Sequence, residues 1–202
     1  MSLWLAAQPL VLASRSVVRR SLLEAAGIPT EAWAVNLDER AIEARASDLG
    51  PSQVANLLAE KKASAAAAQW PGRIVLGADQ TLALSARRFN KPCDRASARD
   101  QLRTLAGHSH ELHSAVVIAS DQQVLFGCVE SARLTMRDMS DQFIETYLDA
   151  VGPQALTSVG SYQLEGLGVH LFERIEGDHF TILGLPLLPL LTFLRRMGFL
   201  AG

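Results

Sequence analysis

The sequence lacks the features that mark several protein classes. It contains two cysteines, Cys93 and Cys128, which lie far apart and form no CxxC pair. We therefore expect two plain thiols in a reducing compartment, and neither a disulfide framework nor a zinc ribbon. The formal net charge is only -2, which argues against general nucleic-acid binding. Any anion site must therefore arise from a local concentration of positive charge.

The chain also lacks a long uninterrupted apolar run. Its most apolar segment, "GLPLLPLLTFLRRMGFL", is broken by two prolines and two arginines and is shorter than the roughly 20 residues of a membrane-spanning helix. No basic residue precedes the first apolar run, a pattern unlike that of a signal peptide. We expect a cytoplasmic protein without a membrane partner, and the oligomeric state stays open between a monomer and a homodimer.

The composition is that of an ordinary globular protein. The chain has 202 residues, of which 49% are hydrophobic and 20% charged, which favours one domain over residues 1–202. Alternating strands and helices with one long hairpin predict an α/β domain with a mixed sheet. Strands are predicted at residues 9–14, 31–37, 73–79 (extended by "TLAL") and 169–177, the hairpin at 111–136, and helices from Ser14 or Ser16 to Gly27, Pro51 to Trp70, Arg95 to Ala106, Ser140 to Gly152 and Pro186 to Met197.

Positive charge gathers where the first strand leads into the first helix. In "LVLASRSVVRRSLL", Arg15, Arg19 and Arg20 follow an apolar run that ends at Ser14. A cation at a helix N-terminus costs a few tenths of a kcal/mol, roughly, because the helix dipole is already positive there. The pattern is explained if an anionic ligand binds at this turn.

Asp79 ends an apolar strand in "IVLGADQT". Ligand sites in open α/β sheets collect at the carboxyl ends of strands, so Asp79 is a candidate functional carboxylate. Two alternatives stay open: Asp79 caps the next turn, or it is an aspartyl nucleophile of a phosphatase. The second chemistry usually has another acid two residues later, where this chain has Thr81.

Three further charged residues each allow a functional and an ordinary interpretation. Lys62 lies in an alanine-rich helix, where most lysines are simply solvated. Lys91 precedes a proline, so its backbone is held extended on a stiff loop. Glu39 follows a predicted strand in "NLDER" and is either a metal ligand or part of a turn.

The chain has two more notable polar segments. The histidines of "HSHELH" (His108, His110 and His113) have no ligand partner in a recognisable register, so we interpret them as structural. The glycine-rich segment "GSYQLEGLG" carries one carboxylate, Glu165. Glycine lets a backbone approach a ligand closely, but it also simply makes turns.

Together these fragments form a recognisable order. They are Ser14–x–Ser16–x–x–Arg19 after a strand, Asp38–Glu39, "LAEKKA", "GAD", "KP", "LAGHSHELHS", "GSYQLEGLG" and "IEGDHFTILGLPL". Their number, order and spacing resemble the Maf family of nucleotide pyrophosphatases from near residue 10 to residue 198. The resemblance implies an elongated mixed sheet flanked by helices, with two lobes around a cleft as in the inosine triphosphatase-like fold. It also implies hydrolysis of a nucleoside triphosphate to the monophosphate and pyrophosphate with Mg²⁺ or Mn²⁺.

The resemblance further implies roles for individual residues. Ser14, Arg19 and the helix N-terminus would bind phosphate oxygens, and Lys62 and Lys91 would add positive charge. Such charge is needed because hydrolysis builds up negative charge on the leaving pyrophosphate.

The same resemblance implies that Glu39 and Asp79 hold the divalent metal. Asp79 would in addition be the proton acceptor that prepares water for attack on the α-phosphorus.

The chain departs from the family pattern at the position that selects the base. Val18 stands where a thymidine/uridine triphosphate group has arginine and a 7-methyl-GTP group has tryptophan, whereas Gln80 and Glu165 resemble the 7-methyl-GTP group. A carboxylate suits N1–H and the exocyclic amine of guanine. Without the aromatic ring, stacking of about 1–3 kcal/mol would be missing, unless Trp33 supplies it.

The sequence therefore favours a house-cleaning pyrophosphatase that removes non-standard nucleotides such as 7-methyl-GTP. The rivals are a dTTP/UTP pyrophosphatase and a non-catalytic nucleotide-binding regulator of septum formation. The full set of expected site residues argues against an inactive protein.

Overall fold

The computed structural model describes residues 2–121 and 123–202, and confirms an α/β fold built on a mixed seven-stranded sheet. Seven α-helices lie in these described residues, together with 3₁₀ helices at Gly152–Leu156, Val159–Ser161 and Leu167–Leu171. The strands are β1 (Leu10–Ala13), β2 (Thr30–Ala32), β3 (Val75–Leu84), β4 (Arg87–Phe89), β5 (Ser109–Ser120), β6 (Gln123–Met136) and β7 (Phe172–Glu176). The helices are α1 (Val17–Ala25), α2 (Glu39–Arg45), α3 (Pro51–Ala67), α4 (Arg95–Leu105), α5 (Asp141–Val151), α6 (His179–Ile182) and α7 (Leu187–Arg196).

The strand order is β2-β1-β3-β5-β6-β7, with β4 paired to β3. Strand β1 pairs in parallel with β2 and with β3, so that Val11 lies opposite Val75. The pairs β3–β4 and β6–β7 are antiparallel, with Leu134 opposite Ile175 in the second. The parallel pairing places Ala13, the last residue of β1, opposite Gly77 of β3, so Ser14 follows β1 beside the part of β3 that carries Asp79.

The contacts divide the chain into two compact units. The first comprises the residues up to Gln80, His113–Glu130 and Asp178–Gly202, and the second comprises Thr81–Leu112 and Ser131–Gly177. Strands β3, β5 and β6 each supply residues to both units. The expectation of one domain over residues 1–202 stays a prediction.

All four residues of β1 are buried in the first unit. Because side chains alternate along a strand, both faces of β1 are therefore covered. Leu10 and Leu12 pack in one apolar cluster with Leu23 of α1 and Phe193 of α7. Val11, on the other face, packs in a cluster with the alanines of α3. A short strand buried on both sides is expected to be apolar throughout, as "LVLA" is.

In the second unit the helices α4 and α5 pack against each other. Each buries three residues: Ala98, Leu102 and Leu105 on α4, and Ile144, Tyr147 and Leu148 on α5. Ion pairs join their exposed sides, with Arg95 Nη2 2.7 Å from Glu145 Oε2 and Arg103 Nε 2.7 Å from Asp141 Oδ1.

The long elements agree with the sequence predictions, whereas several short ones do not. The strand predicted at 31–37 is shorter and begins earlier, at Thr30–Ala32, and the strand predicted at 169–177 begins at Phe172. The predicted extension of the third strand through "TLAL" is confirmed. Helices α2 and α6 and strand β4 were not predicted, because runs of three to seven residues carry too little periodic pattern.

Within residues 2–121 and 123–202, each helix is too short or too polar to cross a bilayer. The expectation that the apolar "GLPLLPLLTFLRRMGFL" segment does not span a membrane is consistent with this, since it forms the ten-residue helix α7 and its flanks.

Candidate active site

One lysine joins two carboxylates in the first unit. Nζ of Lys62 lies 2.5 Å from Oδ1 of Asp79 and 3.0 Å from Oε1 of Glu39. The side chains of Lys62 and Asp79 are only 12% and 11% exposed, whereas that of Glu39 is 47% exposed. The structure thus brings three predicted site residues together, with a buried inner pair and a carboxylate that faces water.

Lys62 reaches Asp79 because α3 packs directly on β3 at Gly77. A Cβ atom on Gly77 would lie 2.1 Å from the carbonyl oxygen of Ala59 and 2.6 Å from the amide nitrogen of Ala63. No larger residue fits without moving the helix. Gly77 and the two alanines therefore set the short distance between helix and strand.

The structure distinguishes Lys62 from Lys61. Lys62 lies on the same face of α3 as the fully buried Ala55, Ala59 and Ala66, and its side chain is only 12% exposed, whereas Lys61 is exposed. A lysine on the buried face of a helix needs a partner, because an unpaired buried charge is costly. Lys62 is therefore no ordinary solvated lysine.

Arg19 turns inward from α1 and is held by backbone carbonyls. Its Nε donates to the Gly184 oxygen at 2.7 Å, and its Nη1 donates to the Ala78 oxygen at 3.0 Å and to Ser14 Oγ at 3.3 Å. Since Ala78 precedes Asp79, this guanidinium lies beside the carboxylate pair. Arg20 instead forms a surface pair with Glu24 at 3.6 Å.

The turn before α1 is organised by two serines. Ser16 is the N-cap and accepts from the amide of Arg19, while Ser14 Oγ accepts from the amide of Ser16, both at 3.2 Å. The first helical turn carries Val17, Val18 and Arg19 in place of an acidic residue. The positive end of the helix dipole is thus left for an external anion.

The electrostatics favour Asp79 as a proton acceptor. Burial raises the pKa of Asp79 above its ordinary value, and the positive charges of Lys62 and Arg19 oppose that shift. Burial also lowers the pKa of Arg19, against the attraction of Asp79 and Glu39. A buried carboxylate with a raised pKa is a stronger base than an exposed one, which suits acid–base chemistry near neutral pH.

Gln80 is bound within the protein through its amide nitrogen. Nε2 donates to Ser114 Oγ at 2.9 Å and to the carbonyl oxygens of Thr181 and Ile182 at 3.2 Å and 3.0 Å. Its expected contact with the base stays a prediction. Ser114, Thr181 and Gly184 were not identified from the sequence. Thr181 and Gly184 contribute backbone oxygens, which leave no mark in the sequence.

Val18 and Trp33 are both half-buried. Trp33 packs against the apolar cluster formed by α3 and the sheet, and its amide donates to the Leu12 oxygen at 2.9 Å. Beside the start of α1 opens a pocket of about 140 Å³, lined by Ser14, Arg15, Ser16 and Arg20 among others. A pocket with these donors suits a small anionic group.

Lys91 and Glu165 belong to the second unit. Lys91 is exposed and lies between β4 and α4, just before the buried Pro92. Glu165 is exposed in the turn between the 3₁₀ helices at Val159–Ser161 and Leu167–Leu171. Their roles in binding phosphate and base stay predictions.

The carboxylates fit the expected divalent metal. Asp79 and Glu39 both contact the ammonium group of Lys62. The two carboxylates are therefore close enough to bind one cation together. Carboxylate oxygens suit Mg²⁺ and Mn²⁺, and Mg²⁺ commonly takes one or two protein carboxylates plus substrate phosphates. No group of three or more His, Cys, Asp or Glu placed to hold a metal occurs in the described part of the chain.

The histidines have structural surroundings. His110 is buried, with Nε2 2.7 Å from the Tyr162 hydroxyl oxygen, and burial lowers its pKa to about 4. His108 is exposed in the turn before β5, where Nδ1 lies 2.7 Å from the Ala106 oxygen. His113 is buried in β5. This arrangement agrees with the interpretation of "HSHELH" as structural.

The chain is similar to several curated proteins over its whole length. It is 58% identical over 201 residues to the nucleoside triphosphate pyrophosphatase of Rhodopseudomonas palustris strain CGA009, covering 100% of each chain. The protein of the same name in strain BisB5 is 60% identical, with 99% of each chain covered. The 7-methyl-GTP pyrophosphatase of Rhizobium meliloti strain 1021 is 50% identical over 191 residues, covering 94% of this chain and 96% of the relative.

A family model described as Maf-like protein matches residues 9–197. The match includes Ser14, Arg19, Glu39, Lys62 and Asp79, which the structure assembles in the first unit. The family resemblance found in the sequence motifs is confirmed, and the chain belongs to the Maf family.

Proposed function

We infer that this chain is a nucleoside triphosphate pyrophosphatase. The observation that carries the inference is the buried Asp79 carboxylate held by Lys62 beside Glu39. Arg19 and Ser14 lie next to this group with donors suited to phosphate. Full-length relatives at 50–60% identity that bear the pyrophosphatase name support the same activity.

The reaction forms one bond and breaks another. The oxygen of a water molecule attacks the α-phosphorus, and the bond between the α-phosphorus and the oxygen bridging to the β-phosphorus breaks. The leaving oxygen keeps the electron pair as part of pyrophosphate. The water gives up one proton, and the nucleoside monophosphate is the second product.

Asp79 accepts the proton of the attacking water. Its raised pKa makes it a better base, and Lys62 keeps it ionised enough to act by stabilising the carboxylate form. Asp79 becomes neutral when it accepts the proton, and Lys62 keeps its positive charge, which then attracts the phosphate oxygens.

The phosphate chain is bound by positive and N–H groups. Arg19 and Ser14 bind phosphate oxygens at the N-terminus of α1, where the dipole adds to their attraction. Lys91 contributes a further positive charge that attracts the substrate phosphates. These groups stabilise the charge that develops on pyrophosphate as it leaves.

Glu39 and Asp79 are the residues that would hold the divalent cation. Mg²⁺ or Mn²⁺, when bound, neutralises phosphate charge and supports formation of the nucleophile. Glu39 is suited to this role because its side chain is nearly half exposed and so meets incoming substrate and solvent.

The preferred base is guanine in its 7-methylated form. Glu165 supplies a carboxylate for the guanine edge and for the positive charge of the methylated ring. The similarity to the 7-methyl-GTP pyrophosphatase of Rhizobium meliloti supports this choice. Val18 offers no aromatic face, so we expect modest discrimination between bases.

The decisive experiment is an assay of 7-methyl-GTP, GTP, dTTP and UTP with Mg²⁺, with Mn²⁺ and with excess EDTA. We expect monophosphate and pyrophosphate as primary products, activity lost in EDTA and restored by either metal, and the highest kcat/KM for 7-methyl-GTP. Primary release of orthophosphate would contradict the mechanism and favour the phosphatase alternative. Binding of nucleotides without turnover would favour the non-catalytic regulator.

The same assay tests the pyrimidine alternative, which predicts the highest kcat/KM for dTTP or UTP. We place the activity in the cytoplasm, as removal of non-standard nucleotides. The two cysteines support a reducing compartment, since Cys93 and Cys128 are both free thiols.

A further inference from the structure

Gln101 on α4 connects two segments of the second unit. Its Nε2 donates to the Asn90 oxygen at 2.7 Å, and its Oε1 accepts from the Gly160 amide at 3.2 Å. Asn90 directly precedes Lys91, and Gly160 begins the segment "GSYQLEGLG", which carries Glu165. One side-chain amide therefore links the loop that carries Lys91 to the segment that carries Glu165.

This link requires both ends of a carboxamide group. The Asn90 carbonyl accepts and the Gly160 amide donates, so the side chain between them must offer a donor and an acceptor at once. Because Gln101 is half-buried, water replaces its two contacts less easily than on the open surface. The link thus depends on the chemical identity of this residue as well as on its size.

The backbone around Gly160 is packed firmly. Gly160 has φ +76, which favours glycine, and a Cβ there would lie 2.6 Å from Leu82 Cδ1. The next residue, Ser161, accepts at its backbone oxygen from the Tyr147 hydroxyl at 3.2 Å. The Gly160 amide is therefore held at a fixed place relative to α4 and α5.

A compact turn leads from this point to Glu165. The Gly166 amide donates to the Gln163 oxygen at 3.2 Å. A Cβ on Gly168 would lie 2.3 Å from the same oxygen, so the chain folds back closely on Gln163. The position of Glu165 therefore follows that of the backbone at Gly160.

The loop that carries Lys91 is also short. It runs from Asn90 to Asp94, between β4 and α4, and Pro92 is buried. Proline fixes its own φ and restricts the residue before it to extended conformations. With Asn90 bound to Gln101 and Pro92 buried, the backbone of Lys91 is held on both sides.

We propose that Gln101 is a positioning residue that holds the Lys91 loop to the glycine-rich turn and so couples phosphate binding to base selection. This inference rests on the proposed function, in which Lys91 attracts the substrate phosphates and Glu165 binds the base. Gln101 acts through the backbone that it binds and not through contact with the substrate. Loss of Gln101 therefore affects both steps, whereas loss of Lys91 or Glu165 affects one.

The first test compares Gln101→Met with the unaltered enzyme on 7-methyl-GTP, GTP and dTTP. Methionine keeps the length of the side chain and removes both hydrogen-bonding groups. We expect KM to rise by about three- to tenfold for every substrate, and the ratio of kcat/KM between 7-methyl-GTP and dTTP to shrink by about twofold or more. The control is Gln142→Met on the exposed surface of α5, which should leave both quantities unchanged.

Gln101→Glu separates the two contacts. A carboxylate still accepts from the Gly160 amide but cannot donate to the Asn90 oxygen. We therefore expect KM to rise for all three substrates, as in Gln101→Met, while the ratio between bases stays near that of the unaltered enzyme. A role confined to packing predicts no such difference, since glutamate and glutamine have nearly the same size.

Two direct variants separate this inference from the proposed function. Lys91→Met should raise KM equally for every base, and Glu165→Gln should shrink the ratio between bases. If either variant has no effect, the proposed binding role of that residue fails and the coupling fails with it. If both behave as expected but Gln101→Met changes neither quantity, or changes KM without the ratio, the positioning role alone is wrong.

A double variant tests whether Gln101 acts through Glu165. In the Glu165→Gln background, Gln101→Met should not shrink the ratio between bases further, because residues that act through one another are not additive. Full additivity would contradict the coupling. Should Gln101→Met not fold, Gln101→Glu decides the question, since an unchanged KM or a changed ratio in that variant overturns the positioning role.

Discussion

The ammonium of Lys62 donates to Oδ1 of Asp79 at 2.5 Å, and both side chains are largely removed from water. A buried ion pair of this kind contributes little net stability, because the cost of desolvating two charges offsets their attraction. Strongly shifted carboxylates beside a specific cation are typical of functional sites. The pair is therefore best explained by the proton transfer that we propose for Asp79.

Asp79→Asn tests that chemistry directly. The amide keeps the size of the side chain but cannot accept the proton of water, so we expect kcat to fall about 10²- to 10⁴-fold. The protein should remain folded by circular dichroism.

The matched control is Asp38→Asn. Asp38 is the exposed N-cap of α2, where Oδ1 accepts from the amide of Ala41 at 3.0 Å, and asparagine caps a helix about as well. Turnover should stay near that of the unaltered enzyme. A folded Asp79→Asn protein with near-normal turnover would remove Asp79 from the mechanism.

Gly77→Ala tests the packing that brings Lys62 to Asp79. The added Cβ would overlap the backbone of Ala59 and Ala63, so α3 must move away from β3. We expect a loss of about 1–3 kcal/mol in the free energy of unfolding by urea, together with a lower kcat/KM because Lys62 no longer reaches Asp79.

Gly127→Ala on β6 is the control for this substitution. Its added Cβ would lie 3.8 Å from Asn56 Oδ1 and 3.9 Å from Val117 Cγ2, at ordinary contact distance. Both stability and kinetics should change little. Equal effects of the two substitutions would show that the close approach at Gly77 has no special importance.

His110 makes stability depend on pH. Burial lowers its pKa from 6.5 to about 4, and its Nδ1 is buried without a hydrogen-bond partner among the described residues. The unfolded chain therefore binds a proton more readily than the folded one between these values. The stabilising contribution of neutral His110 is present above about pH 6.5 and is lost as pH falls towards 4, by up to about 3 kcal/mol.

The measurement is the free energy of unfolding between pH 4 and pH 7. His110→Gln keeps a polar partner for Tyr162 but does not titrate, so we expect it to flatten the pH dependence in this range. His108→Gln, at an exposed position, should leave the dependence as it is. An unchanged slope in His110→Gln would contradict the assignment.

Much of the fold follows from the sequence because its long elements have strong patterns. The run "LVLA" predicts β1, Asp94 and Ser140 predict the starts of α4 and α5, and both cap residues accept from the third helical amide. Helix α2 was missed for a physical reason. Asp38 was interpreted with Glu39 as an acidic pair in a turn or a metal site, whereas it caps a two-turn helix that places Glu39 next to Lys62.

The candidate site was predicted only in part, because some of its contacts use groups that every residue has. The motifs identified Ser14, Arg19 and Lys62 by resemblance to a family. The carbonyl oxygens of Ala78 and Gly184, which hold Arg19, leave no mark in the sequence. The glycine at 184 is the one available hint, since its φ of +89 favours glycine.

Glu165→Gln tests which base the enzyme prefers. The carboxylate of Glu165 gains from the positive charge of 7-methylguanine, whereas a pyrimidine would leave it poorly paired at a cost of about 1–3 kcal/mol. Glutamine removes the charge and keeps the shape, so we expect the ratio of kcat/KM between 7-methyl-GTP and dTTP or UTP to shrink while hydrolysis continues. Glu173→Gln on the exposed edge strand β7 is the control and should leave the ratio unchanged. A preference of the unaltered enzyme for dTTP or UTP, or an unchanged ratio in Glu165→Gln, would contradict this assignment of the base even if pyrophosphate is released.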